Sequence, residues 1–84
     1  MLTPAQLRAA RALVGWSRDD LAKKSATSAE TVKGFEGRGT DPKMGTVYKW
    51  LRALETAGVV FIDDGAKSDE AGPGVRLRLT RAKR

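Results

Sequence analysis

The stretch SRDDLAKKSATSAETVKGFE, residues 17–36, carries two short helical patterns separated by three small residues. Ser17 can cap a helix, with Asp20 as a short-armed capping-box partner, and both Asp19 and Asp20 suit the positive end of a helix dipole. Leu21 and Ala22 supply the inner face of that helix. Ser25, Ala26 and Thr27 break the run, and Ser28 or Thr27 can cap a further helix whose inner face is Val32 and Phe35. Gly34, Gly37 and Gly39 lower helix propensity, which predicts an end near Glu36 and a loop over residues 37–42. Isolated helices under roughly 12 residues are marginal in water, so the rest of the domain must hold this pair in place.

The flanking sequence supplies the means. Thr3, Pro4 and Gln6 form a helix start, with a capping threonine, a proline at the first helical position and a glutamine able to complete a capping box. Leu7, Ala10, Leu13 and Val14 then recur at helical spacing up to Gly15, predicting a helix over residues 4–14. Across residues 43–57, Met44, Val47, Tyr48, Leu51 and Leu54 form an apolar stripe that Gly58 closes with a left-handed cap. Two strands follow, over residues 59–62 and 75–79, the second alternating Val75, Leu77 and Leu79 with Arg76, Arg78 and Thr80. Between them, residues 63–74 read as a hairpin loop whose Asp63, Asp64, Asp69 and Glu70 are solvated in preference to binding a cation. The expected organisation is a helical bundle over residues 1–58, a β extension over 59–79 and a basic tail over 80–84.

Composition narrows the function classes. Eighty-four residues make one module with one modest core and no deep cleft. Without cysteine or histidine there are no disulfides, thiolate or imidazole metal ligands, thiol nucleophiles or histidine-dependent triads, so neither an enzyme nor a cofactor is expected. The longest apolar run, residues 58–62, is far short of the roughly 20 residues that span a bilayer, and no charged-then-apolar signal segment opens the chain. The expectation is a soluble cytoplasmic protein with no membrane partner. A net charge of +6 and a pI near 10.2 favour a polyanion. The charge is sorted: residues 75–84 carry +5, whereas residues 59–74 are net acidic.

A short helix joined through a tight turn to a second helix is the helix-turn-helix arrangement, which aims the outer side chains of the second helix at a DNA major groove. Periodicity and charge also permit a four-helix mini-bundle in which the same residues only pack. Leu21-Ala22, Val32, Phe35, Glu36 and Asp41-Pro42 together resemble the Cro/CI-type helix-turn-helix family, also called the xenobiotic-response-element (XRE) family, over residues 7–57. The resemblance implies a mainly α, lambda-repressor-like bundle of about four helices, here with a C-terminal two-stranded β extension. It also implies sequence-specific binding of double-stranded DNA, usually as a homodimer, and control of transcription at an operator. Arg18 stands where the family usually has Gln, and Ala26-Thr27 where it usually has Gly and an apolar residue. A left-handed Ala26 costs of order 1 kcal/mol. The run Gly37-Arg38-Gly39 also departs from the family pattern after Glu36.

Carried over position by position, the resemblance places Ala29, Glu30 and Lys33 nearest the base edges, with Thr31 beside them. Ala29 can touch a thymine methyl, Glu30 can accept from a cytosine amine or stand as a solvated charge, and Lys33 can reach guanine acceptors or a phosphate. Arg18, after the capping Ser17, can fork onto a phosphate or a guanine edge or remain a surface charge. Ser28 is an N-cap whose neighbouring N–H groups suit a phosphate, and Arg38 and Lys43 are phosphate clamps. The family position of Glu36 implies a buried or half-buried bond to the first helix, with Arg8 or Arg11 as partner. Trp16, Tyr48, Trp50 and Phe61 read as core or dimer contacts in preference to base-stacking platforms.

The apolar face of the second strand can cover the core or pair with a second subunit. Dimerisation through the β extension, the last helix or both would set two recognition helices about one DNA turn apart, roughly 34 Å. The expected function is a bacterial or phage-type regulator that represses by covering promoter elements or activates by touching RNA polymerase. The alternative is a protein-interaction module such as an antitoxin or anti-activator, which an exposed apolar patch over residues 59–62 would favour.

Overall fold

The computed structural model describes residues 2–63 and 72–78. Four helices precede a hairpin: α1 (Pro4–Val14), α2 (Arg18–Ser25), α3 (Ala29–Arg38), α4 (Met44–Thr56), β1 (Val59–Ile62) and β2 (Gly74–Leu77). The fold is thus mainly helical with a small antiparallel sheet, and among the described residues no helix is long and apolar enough to cross a membrane.

Local chemistry explains where the first three helices begin. Thr3 and Gln6 form a reciprocal capping box, with Thr3 Oγ1 accepting from the Gln6 N–H at 3.0 Å and Gln6 Oε1 accepting from the Thr3 N–H at 2.9 Å. Ser17 and Asp20 repeat the device at the start of α2, at 3.0 and 2.9 Å. Ser28 alone caps α3, its Oγ accepting from the Thr31 N–H at 3.1 Å. Thr27 instead spends its hydroxyl on the core, accepting from the Trp50 indole N–H at 3.0 Å and sharing a 2.8 Å bond with Ser25.

Ala26 ends α2 in the left-handed region at φ 58°, ψ 44°, and Thr27 N–H donates back to the Ala22 carbonyl at 2.9 Å. It is the one non-glycine residue with positive φ among those described. The end of α3 corrects the sequence expectation: the helix runs through Glu36 and Gly37 to Arg38, so the loop begins at Gly39. An interior glycine costs only about 1 kcal/mol, whereas Gly39, at φ 65°, supplies the left-handed stop. Its N–H donates to the Phe35 carbonyl at 2.9 Å.

The inner face of α4 is also rotated from the expected stripe. Trp50 and Leu54 are buried and Val47 and Ala53 pack beside them, while Met44 and Tyr48 are 71% and 59% exposed and Leu51 is half-buried. Trp50 decides the rotation. Its ring lies 5.5 Å from that of Phe35 and its N–H has the Thr27 hydroxyl, so the largest side chain finds both an apolar seat and a polar partner. At the far end Ala57 is the right-handed C-cap, and the positive φ of 108° belongs to Gly58, one residue later.

The core joins Leu7 and Ala10 of α1, Leu21 of α2, Val32 and Phe35 of α3, Trp50 and Leu54 of α4 and Val59 of β1. Trp16 and Phe61 are half-buried against it. The strands pair from Val59↔Leu77 to Ile62↔Gly74, so β2 starts one residue before the expected Val75. Val75 packs against the core, but Leu77 on the same face is 49% exposed. Gln6 ties the loop end of the hairpin to α1: its Nε2 donates to the carbonyls of Ile62 and Gly74, each at 3.1 Å. The acidic residues Asp64, Asp69 and Glu70, the strand residue Leu79 and the basic tail 80–84 lie outside the described residues.

Two predictions follow from the ends of α2. Replacing Ala26 by Gly relieves the left-handed strain at an exposed position and raises the unfolding free energy by about 1 kcal/mol, measured as a higher urea midpoint with unchanged slope. The Asp20 carboxyl is held below its ordinary value of 3.8, first by the Ser17 backbone N–H and then by the Ser17 hydroxyl. A depressed folded-state value stabilises the protein above the unfolded value and ceases to do so as pH falls through the folded one. The stability gap between the parent and Asp20→Asn should therefore be full at neutral pH and shrink as pH falls through the ordinary value of 3.8 and below, in thermal melts across an acid series.

Candidate functional site

One side of α3 is fixed and the other is free. Val32, Gly34, Phe35 and Glu36 face inward and are buried. Glu30, Lys33 and Gly37, spaced by three and four residues, lie on the exposed side, with Ala29 and Thr31 half-buried beside them. Among the described residues neither Glu30 nor Lys33 has a hydrogen-bond or ion-pair partner, so both side chains project into solvent. Gly34 allows close approach by the following loop: a Cβ there would lie 3.1 Å from Thr40 Oγ1.

The fixed side is held by a charge cluster. The Glu36 side chain has no solvent exposure. Its Oε2 accepts from Arg11 Nε at 2.8 Å, and its Oε1 accepts from Arg11 Nη2 at 2.7 Å and from Arg18 Nε at 3.1 Å. The remaining Arg11 nitrogen, Nη1, donates to the Trp16 carbonyl at 3.0 Å, and Arg8 Nη1 donates to the Glu36 carbonyl at 2.8 Å. A paired arginine fork can hold a buried carboxylate that would otherwise carry a large desolvation cost. The expected link from Glu36 to the first helix is present, and both arginines serve it: Arg11 holds the carboxylate while Arg8 holds the backbone. Among the described residues no buried side-chain nitrogen or oxygen lacks a partner.

Arg18 has a third role beyond the surface charge and the nucleic-acid contact expected of it. Its Nε grips Glu36 across 18 positions of sequence, yet its side chain keeps 39% exposure. Among the described residues its two terminal Nη groups make no other bond. The guanidinium is therefore anchored along one edge and open along the other. No local spacing announces this pair, because it forms only when the start of α2 meets the end of α3.

The other candidate residues separate into cap groups and free cations. Ser17 Oγ is committed to the Asp20 N–H, while Ser28 Oγ bonds both the Thr31 N–H and, at 2.8 Å, the Thr31 hydroxyl. These two serines therefore present helix starts, and their hydroxyls are engaged. Arg38 ends α3 and Lys43 precedes α4, both exposed and, among the described residues, without a side-chain hydrogen bond or ion pair. The polar link from Thr27 to Trp50 was missed in the sequence; the only signal for it is a threonine at the turn position that the pattern reserves for an apolar residue.

No protein-family model matches the chain, and no curated protein matches it.

Replacing Glu36 by Ala strands Arg11 and Arg18 at a helix junction. The expected loss is about 3 kcal/mol, a large fraction of the stability of a domain this small, read from chemical denaturation. Glu36→Gln, which keeps one acceptor oxygen and the side-chain shape, should lose less.

Proposed function

We propose that the protein is a non-enzymatic, sequence-specific DNA-binding regulator of transcription, of the lambda-repressor-like helix-turn-helix type, acting as a homodimer on a palindromic operator. The observation that carries this reading is the two-sidedness of α3: buried contacts fix its inner face, while Glu30 and Lys33 stand unpaired on its outer face. A helix used only for packing gains nothing from such rigid presentation. A recognition helix needs it, because a base-edge contact requires the side chain to arrive in register.

In this reading α3 enters the major groove. Ala29 meets a thymine methyl, Lys33 a guanine edge and Glu30 a cytosine amine, with Thr31 steadying the start of the helix. Arg18 offers its open Nη edge to a phosphate, and Arg38 and Lys43 neutralise the backbone on the loop side. The N-termini capped by Ser17 and Ser28 turn backbone N–H groups towards the same strands. A two-fold dimer through the hairpin, α4 or both repeats the contacts one helical turn away. Contact with RNA polymerase at a neighbouring site would make the bound dimer an activator; coverage of the promoter would make it a repressor.

The competing reading, a protein-interaction module such as an antitoxin, calls for an exposed apolar patch over residues 59–62. Val59 is buried and the other three are half-buried, which does not favour it.

Selection of bound duplexes from a random pool should yield a palindromic site. On that site and its single-base variants, Lys33→Ala should reduce discrimination by about 1 to 3 kcal/mol at the contacted base pair, whereas equal weakening on every sequence would assign Lys33 to phosphate. Arg18→Ala, first checked by circular dichroism to be folded because Arg18 also grips Glu36, should lower the salt slope of binding by about 0.9. An unchanged slope would remove Arg18 from the interface.

A further inference from the structure

An open groove of about 720 Å³ lies between the end of α2 and the outer side of α4. It shares no residue with the outer face of α3. Its walls carry two aromatic rings, Trp16 and Tyr48, and three cations, Lys24, Lys49 and Arg52, over an alanine floor that includes Ala53. No residue lining it is acidic.

Each ring has a cation beside it on its own wall of the groove. Lys24 Nζ lies 5.8 Å from the centre of the Trp16 ring, and Arg52 Cζ lies 5.6 Å from the centre of the Tyr48 ring. Arg52 Nη1 also donates to the Tyr48 hydroxyl at 3.2 Å. These contacts hold Lys24 and Arg52 at the margin of an apolar surface. Among the described residues neither Lys49 nor Arg52 forms an ion pair with a carboxylate, and Lys24 feels the Asp20 carboxylate one turn earlier on α2 without a close ion pair. Tyr48 stays 59% exposed, a large aromatic left in water beside two positive charges from its own helix.

The volume is within the range of small-ligand sites, roughly 300 to 1,000 Å³. A second copy is a poor occupant, since a two-fold contact of this face with itself would oppose six like charges with no acid between them. An aromatic ring bearing an anionic group matches both components: the ring takes the apolar surface beside Trp16 and Tyr48, and the anion takes charge-assisted hydrogen bonds from Lys49 and Arg52.

We propose that the groove is a binding site for a small anionic aromatic molecule. The site lies apart from the outer face of α3 and is tested on the free protein; it requires that the proposed dimer meet through the hairpin and not through this side of α4. Indole-3-acetate, 1-naphthylacetate and phenyl phosphate are titrated, each at up to millimolar concentration, into isotope-labelled protein and followed by two-dimensional NMR. Neutral 1-naphthylacetamide and inorganic phosphate serve as controls.

The expected result is saturable shifts for at least one anion, confined to the Trp16 indole N–H, the end of α2 and residues 48–57. Binding should be at least about tenfold weaker for the neutral amide, for inorganic phosphate and for the doubly substituted Lys49→Ala, Arg52→Ala protein. Both substituted residues are exposed, and the retained spectrum reports that the variant is folded. Four results would overturn the proposal: no saturable shift with any of the three anions, an equal response to the amide, an equal response to inorganic phosphate, or an undiminished response in the double variant. Shifts of the same resonances on simple dilution, without ligand, would show a second copy covering the groove and would also overturn it.

Discussion

The Glu36 carboxylate lies out of solvent at the meeting point of three helices, with three arginine N–H groups directed at its two oxygens. Arg11 comes from α1 and Arg18 from the first turn of α2, so one side chain of α3 fixes the position of two other helices. Because a buried carboxylate without partners is far costlier than a lost apolar contact, the three helices must dock in the one arrangement that brings both arginines to it. The short helices α2 and α3 hold their orientation through this junction and through Trp50, whose indole N–H reaches the turn between them at Thr27.

Apolar packing contributes the other constraint. Leu7, Leu21, Val32, Trp50, Leu54 and Val59 are all fully shielded from solvent and come from five different elements, so no helix pair is stable without the rest. Gln6 extends the same logic to the hairpin. It completes the capping box of α1 with its oxygen and spends both amide protons on strand carbonyls, so the start of the first helix and the end of the first strand are fixed together. The exposed polar residues of α3 are thereby left as the projecting edge of a rigid body.

Much of this was legible in the sequence where the signal is local. The capping boxes at Thr3 and Ser17 and the two strands follow from chemistry spanning a few residues, whereas α2 runs one residue into the expected break, through Ser25, and the left-handed Ala26 was suggested only by the family resemblance. The features that escaped depend on distance. The rotation of α4 could not be read from its apolar stripe, because Met44, Tyr48 and Leu51 are as apolar as the residues that were chosen, and the choice was made by the partners of Trp50. The end of α3 was misplaced by two residues because Gly37 looks like a stop until Gly39 is seen to do that work. The anchoring of Arg18 is a contact between two helix ends, for which a single sequence holds no period.

Ala29, Glu30 and Lys33 were singled out through the family resemblance and not by a local signal; Glu30 and Lys33 are exposed on α3 and Ala29 is half-buried. The hydroxyls of Ser17, Ser28 and Thr31 are engaged at the helix starts, which under the proposed reading would leave base contacts to fewer side chains. The most direct measurement is genomic footprinting of the protein in its host beside a Glu30→Ala, Lys33→Ala double variant, whose substitutions touch no buried contact. The account predicts a few sharp palindromic sites that shift or vanish in the variant. Diffuse occupancy that the variant leaves unchanged would contradict it, and would reduce the basic surface to a generic attraction for nucleic acid.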